Sequence, residues 1–284
     1  LKKYIWRLAK ISGVKALPIV RPIIIRAGVE NIFGLCIGSF LNVLILKLPL
    51  SESIFTKTRS KCPSCNHLIY WYHNIPLFSY LFLRSKCAYC GAKISFQYFL
   101  VELLSGIITL VLFLKLGLSQ EFIYMCLLSY VLITLSFIDL KYKAVPDYLL
   151  LIALVLSFFA SNFSLIESLK NAFLFSGAFV LLNFVITFYI QNIKSKLLKD
   201  ESLKTQVALG EGDIPIIAMI GIILGVSGGL FSIFLAAIFA IIPAIYSNFV
   251  KKDIQTPFIP YLVLGFFTEY FFDLETIIKA FYWN

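Results

Sequence analysis

The stretch Leu209-Gly210-Glu211-Gly212-Asp213-Ile214-Pro215-Ile216-Ile217-Ala218 sets a carboxylate at the join between a polar loop and a long apolar run. A charged acid at the mouth of a membrane segment is costly, so it marks a functional site by default. Gly210 and Gly212 let the backbone turn tightly and let another chain segment come close. One acid alone does little chemistry. The nearest candidate for a partner lies upstream, in Ser136-Phe137-Ile138-Asp139-Leu140-Lys141-Tyr142-Lys143-Ala144-Val145-Pro146-Asp147.

Runs like the one after Asp213 recur along the chain. The sequence is 60% hydrophobic and 14% charged, and its mean hydropathy is +0.90. A soluble domain is about half apolar and about a quarter charged. The reading is therefore an all-α, polytopic membrane helix bundle of about eight transmembrane helices. The first run is 32–48. The others fall at 98–116, 121–138, 148–163, 172–190, 214–231, 232–249 and 258–272, with the 231/232 join set near Ser227-Gly228-Gly229. In the first run, Gly34, Gly38 and Ser39 mark a face for close helix approach, and Asn42 needs a hydrogen-bond partner inside the bundle.

Between the first two runs, residues 49–97 are polar and basic and too long for a hairpin loop. They carry Cys62-Pro63-Ser64-Cys65 and Cys87-Ala88-Tyr89-Cys90. Two such pairs complete a tetrahedral S4 site for structural zinc, and a small insertion needs a staple of that kind. Redox-active or disulfide-bonded cysteines are the other reading. His67 and His73 lie near but are not needed as ligands. Cys36 and Cys126 fall in apolar runs and read as small core residues. Residues 98–284 form the rest of the membrane domain.

The net charge of +10 does not point to nucleic acid, because Lys and Arg cluster in short loops. With the insertion placed in the cytoplasm, fifteen Lys and Arg fall on its side of the membrane. Only Lys115, Lys170 and Lys279 fall opposite. That bias fixes the orientation. It also brings Asp139, at the end of one helix, and Asp213, at the start of another, to the same cytoplasmic face. The basic segment 1–31 breaks the pattern: Pro18 and Pro22 interrupt any helix there, and either it lies outside the mature protein, the preferred reading, or it stays on the membrane surface inside and the first span is misplaced.

Two neighbouring carboxylates cannot both ionise easily, so a pair holds one proton. The ionised member takes a proton from water while the protonated member polarises a carbonyl. The plainer reading is that each acid caps a helix. Asp147 rivals Asp139, but it follows Pro146 and suits an N-cap.

Five pieces, in order, resemble the prepilin peptidases, or type IV leader peptidases. They are Gly38-Ser39-Phe40-Leu41-Asn42-Val43 with Leu48-Pro49; the two cysteine pairs; Trp71-Tyr72-His73-Asn74-Ile75-Pro76-Leu77-Phe78-Ser79-Tyr80; Ile138-Asp139 followed by Val145-Pro146-Asp147; and Gly210-Glu211-Gly212-Asp213. The resemblance implies an intramembrane aspartic endopeptidase of the bacterial inner membrane, with Asp139 and Asp213 as catalytic acids. It implies prepilin or pseudopilin substrates, cut on the cytoplasmic side between a basic leader and an apolar helix. It also implies N-methylation of the new N-terminus from S-adenosylmethionine. Glu102 is a candidate for the methyl-donor site, against the plainer reading of a satisfied interfacial carboxylate. Two positions depart from the family: Pro215 stands where Lys is common, and Lys47 where Arg is frequent. The competing class is a non-catalytic membrane assembly or transport protein with a zinc module.

Overall fold

In the computed structural model, residues 17–50, 61–198, 201, 210–246 and 257–282 are described. Residues 1–16, Leu209 and the loop lysines 57, 199, 204, 251 and 252 lie outside that set, as does Arg59. The described chain is helical, with no strand beyond two single antiparallel bridges. Its helices are α1 Leu17–Lys47, α2 Phe78–Phe82, α3 Phe96–Leu116, α4 Gln120–Tyr142, α5 Asp147–Ala160 and α6 Leu165–Phe188. They continue with α7 Ser195–Leu198, α8 Asp213–Tyr246, α9 Ile259–Phe272 and α10 Leu274–Tyr282.

Among the described residues, five segments are long and apolar enough to cross a membrane: 25–50, 96–116, 120–142, 165–197 and 213–245. The helices α5 and α9 are apolar but only 14 residues each. This is the composition of a multi-pass membrane protein.

Three expectations are corrected. Among the described residues helix α1 is already formed at Leu17 rather than beginning near Ile32, and runs through Pro18 and Pro22. Pro18 sits in the first turn, where a missing N–H costs nothing, and Pro22 gives up one bond near the helix end. The break in the 214–249 run falls at Gly225, which has φ 71° and ψ −169°, rather than near residue 231. Of the two cysteines in apolar runs, Cys36 is exposed and Cys126 is a core residue.

The chain divides into two compact units. One comprises residues 1–42 and 57–122, the other 43–56 and 123–284. In the first, the small-residue face of α1 packs on α3. A Cβ at Gly34 would lie 2.9 Å from the Ser105 carbonyl oxygen, and one at Gly38 would lie 2.6 Å from the Glu102 Cα. Asn42 is buried and donates through Nδ2 to the Tyr98 carbonyl at 3.1 Å.

In the second unit the core is built from buried stripes. On α4 the stripe is Met125, Leu128, Leu132 and Leu135; on α8 it is Ile216, Ile217 and Ile220; on α9 it is Leu262 and Phe266. The spacing of three and four residues is that of one helix face. Asp139 continues the first stripe by one step. Asp213 begins the second, three residues before Ile216. Each acid therefore faces inward because of its register.

Candidate active site and cysteine cluster

Asp139 lies in the last turn of α4 and is 8% exposed; Asp213 opens α8 and is 7% exposed. The second unit brings them together through α9. The backbone N–H of Ile259, at the start of α9, donates to Asp139 Oδ2 at 3.2 Å. The space beside Gly212 is closed by Val145, Leu150 and Ile259, where a Cβ would meet Val145 Cγ2 at 3.0 Å and Ile259 Cδ1 at 3.9 Å. So Ile259 holds Asp139 with its backbone and flanks the Gly212 turn with its side chain. The two carboxylates are within electrostatic reach of each other.

Local sequence explains the Asp213 turn. Its N–H donates to the Gly210 carbonyl at 3.1 Å, closing a turn that leads straight into the helix. Pro215 sits in the first turn of α8, where its missing N–H has no intrahelical partner to lose. Asp139 does not cap its own helix. Its oxygen is taken by the N-terminus of another, whose orphan N–H groups suit a carboxylate. Asp147 does not fill the N-cap position either. Pro146 does, without a side-chain cap bond, and Asp147 is an exposed first residue of α5.

Sequence reasoning missed Ile259 as an oxyacid donor and Tyr261, which lies within electrostatic reach of Asp139. The available signal was Pro260 at the second position of an apolar run, a helix-start mark. Nothing in it says which side chain the freed N–H will meet.

In the first unit, Cys62, Cys65, Cys87 and Cys90 converge, with their sulfurs all within 4.8 Å of one another. Cys62 Sγ and Cys90 Sγ are 3.8 Å apart. A tetrahedral site with Zn–S bonds of about 2.3 Å needs sulfur separations of about 3.8 Å, so the donor set fits zinc. Two matching knuckles build it. Asn66 N–H returns to the Cys62 carbonyl and Gly91 N–H to the Cys87 carbonyl. Asn66 and Gly91 both take positive φ, 55° and 70°.

The backbone N–H groups of Cys65 and Ser64 pull the Cys62 thiol down to about 6, making it a thiolate at neutral pH. Cys90 goes up to about 11: the Ala92 N–H lowers it, but desolvation and the sulfurs of Cys65, Cys87 and Cys62 outweigh that bond. His67 stacks on Tyr89 at 3.7 Å and His73 packs on Tyr72 at 4.4 Å. Neither belongs to the sulfur cluster.

Glu102 is buried in α3, with both oxygens taken. Ser39 Oγ donates to Oε1, and the Leu77 N–H donates to Oε2 at 2.8 Å. Leu77 has φ 60° and ψ −47°, and Phe78 N–H reaches back to the Pro76 carbonyl at 2.6 Å. This is a γ-turn of the rare, strained kind. Ser79 Oγ steadies it by accepting from the Ile75 N–H and donating to the Tyr72 carbonyl. Glu102 is thus a clamp on the Asn74-Ile75-Pro76-Leu77 segment.

Comparison with known proteins covers both regions. Residues 32–116 match the bacterial peptidase A24 N-terminal domain, and residues 126–245 match the type IV leader peptidase family. A prepilin leader peptidase/N-methyltransferase of Vibrio cholerae is 30% identical over 250 residues, covering 85% of this chain and 94% of that protein. One from Pseudomonas aeruginosa is 31% identical over 264 residues, 82% of this chain and 86% of its own length. One from Myxococcus xanthus is 45% identical over 115 residues, a match that spans 34% of that protein. No solved structure matches the chain. Two family domains follow one another in order and a Vibrio relative is aligned over nearly its whole length: the chain belongs to the type IV leader peptidase family.

Proposed function

We propose that the chain is a prepilin peptidase and N-methyltransferase of the bacterial inner membrane. It removes the basic leader of type IV prepilins or pseudopilins and methylates the new N-terminus. Asp139 and Asp213 are the catalytic pair. The observation that carries the reading is that two buried acids, far apart in sequence, both lie by the start of α9, Asp139 bonded to the Ile259 N–H and Asp213 next in the chain to Gly212, which the Ile259 side chain flanks.

The chemistry is that of a shared-proton dyad. The ionised carboxylate takes a proton from a water as its oxygen attacks the scissile carbonyl carbon. The protonated carboxyl donates to the carbonyl oxygen. When the C–N bond breaks, a proton passes to the departing amine. Ile259 N–H keeps Asp139 in place through these steps. The charge pattern of the loops supports a cytoplasmic position for the pair and for the cysteine insertion. There water has access, and a substrate helix in the bilayer presents its boundary.

Zinc, held by Cys62, Cys65, Cys87 and Cys90, would cross-link an insertion that has little core of its own. S-adenosylmethionine supplies the methyl group in this reading. Ser39 and Leu77 each hold one Glu102 oxygen, which supports the plainer reading of a satisfied structural carboxylate.

The test is cleavage of a purified prepilin by purified protein in lipid, together with transfer of a labelled methyl group. A transport or assembly protein would do neither. Under the proposed reading, wild type does both and Asp213→Asn does not cleave.

A further inference from the structure

The first unit leaves an apolar face uncovered beside the start of a membrane-crossing helix. In α2, Phe78, Leu81 and Phe82 lie three and four residues apart, so they share one side of the helix. They are 60%, 62% and 83% exposed. The opposite side is packed: the Tyr80 ring lies 5.3 Å from that of Phe99 and 6.5 Å from that of Phe96, both in α3. Phe96, the first residue of α3, is itself 59% exposed, so the apolar surface continues from α2 onto the span 96–116. Depth is set by the Glu102 clamp. Glu102 is six residues into α3, about 9 Å at the helical rise of 1.5 Å per residue, and its side chain leans back toward the helix start. Its bond to the Leu77 N–H therefore holds the entry to α2 within the first two turns of the span. Just after α2 the chemistry changes. Arg84 and Ser85 take positive φ, 50° and 56°, and turn the chain out of the helix. Arg84, Lys86 and Lys93 are exposed, and a single antiparallel bridge sets Lys86 beside Lys93. No Asp or Glu occurs from residue 53 to residue 101, so no acid of that stretch offsets these cations.

We infer that α2 anchors the cysteine insertion to an anionic lipid surface. Phe78, Leu81 and Phe82 enter the boundary between headgroups and acyl chains, and Arg84, Lys86 and Lys93 bind the anionic headgroups. Apolar side chains beside a cluster of cations are the pairing that such a surface holds. The occupant is lipid rather than protein because the face is continuous with a helix surface that crosses the bilayer, and because a purely apolar partner would leave the cations unmatched. The insertion is thereby fixed to the membrane by α2 as well as by its chain ends. The inference needs α3 to cross the membrane and is independent of the peptidase reading.

The experiment places a fluorophore on the most exposed of these side chains, Phe82→Trp, in full-length protein in lipid vesicles, with the wild-type emission subtracted. Acyl-chain bromines about 5–10 Å deep, the reach of an interfacial helix, are expected to remove at least about half of the added emission, and acrylamide in the water little of it. Reversing the charges in the same background, with Arg84→Glu and Lys86→Glu together, is expected to raise acrylamide quenching severalfold in vesicles that contain anionic lipid and to change it little in zwitterionic ones. Added salt should act on the parent in the same direction, because it screens the headgroup contact. A distorted insertion would respond alike in both lipids, so the difference between them reads the contact and not the fold. Quenching by acrylamide but not by bromine would put the face in water, and protection from both would put protein over it; either result overturns the anchor. An equal effect of charge reversal in the two lipids overturns the headgroup contact.

Discussion

Asp139 and Asp213 are buried by register: each occupies the next position of a stripe whose other members are leucines, isoleucines or methionine. That much is legible in the sequence, since a stripe can be counted forward to the acid. Their meeting is less so, because it depends on Ile259, which carries no chemical signature and acts through its backbone N–H. Asp139→Asn and Asp213→Asn should each lower the peptidase kcat by at least about a thousandfold, as a dyad acting as a unit loses most of its effect with either member. Glu102 makes a different prediction. Glu102→Ala leaves the Leu77 N–H and Ser39 without their acceptor, and losing a buried acceptor of this kind costs about 1–3 kcal/mol. Thermal unfolding monitored in the insertion should fall accordingly, while Glu102→Gln, which keeps one carbonyl acceptor, should lose less. Equal, negligible losses in both would mean that the γ-turn needs no clamp.

The cysteine insertion was legible as a metal module because its spacing repeats, and the two knuckles repeat in the fold down to the positive φ after each second cysteine. The helix breaks were harder to read. Gly228-Gly229 looked like the join, yet both are helical. Gly229 instead makes room for Phe175, whose ring would crowd a Cβ there. Gly225 carries the break, and no local feature separates it from its neighbours. Its φ of 71° makes Gly225→Ala costly by about 1–2 kcal/mol, read as a lower midpoint in thermal unfolding; Gly177→Ala, in open space, is the matched control and should be near neutral. Cys62→Ser should reduce bound zinc from one per chain to near zero. It should also expose the insertion to trypsin at Arg84 and Lys86, with methyl transfer lost and prepilin cleavage retained. Retained zinc at full occupancy would remove Cys62 from the ligand set.

For the whole molecule, composition alone set the class: a chain this apolar has nowhere to put its helices but in a membrane. The number of crossings is less directly readable, since α5 and α9 are short and α8 is one apolar run bent at Gly225. The proposed sidedness rests on loop charge and predicts that an impermeant thiol reagent reaches Lys170→Cys from the side opposite the cytoplasm and reaches metal-stripped Cys65 only from the cytoplasm. Labelling of the two sites from the opposite sides would reverse the topology. The acid pair is the centre of the proposed mechanism. The decisive measurement is single-turnover cleavage of a purified prepilin by wild type, Asp139→Asn and Asp213→Asn in lipid, with zinc content and melting temperature recorded for each. The prediction is wild-type zinc and melting in all three, with cleavage only in the wild type. Cleavage at the wild-type rate by either variant would contradict it.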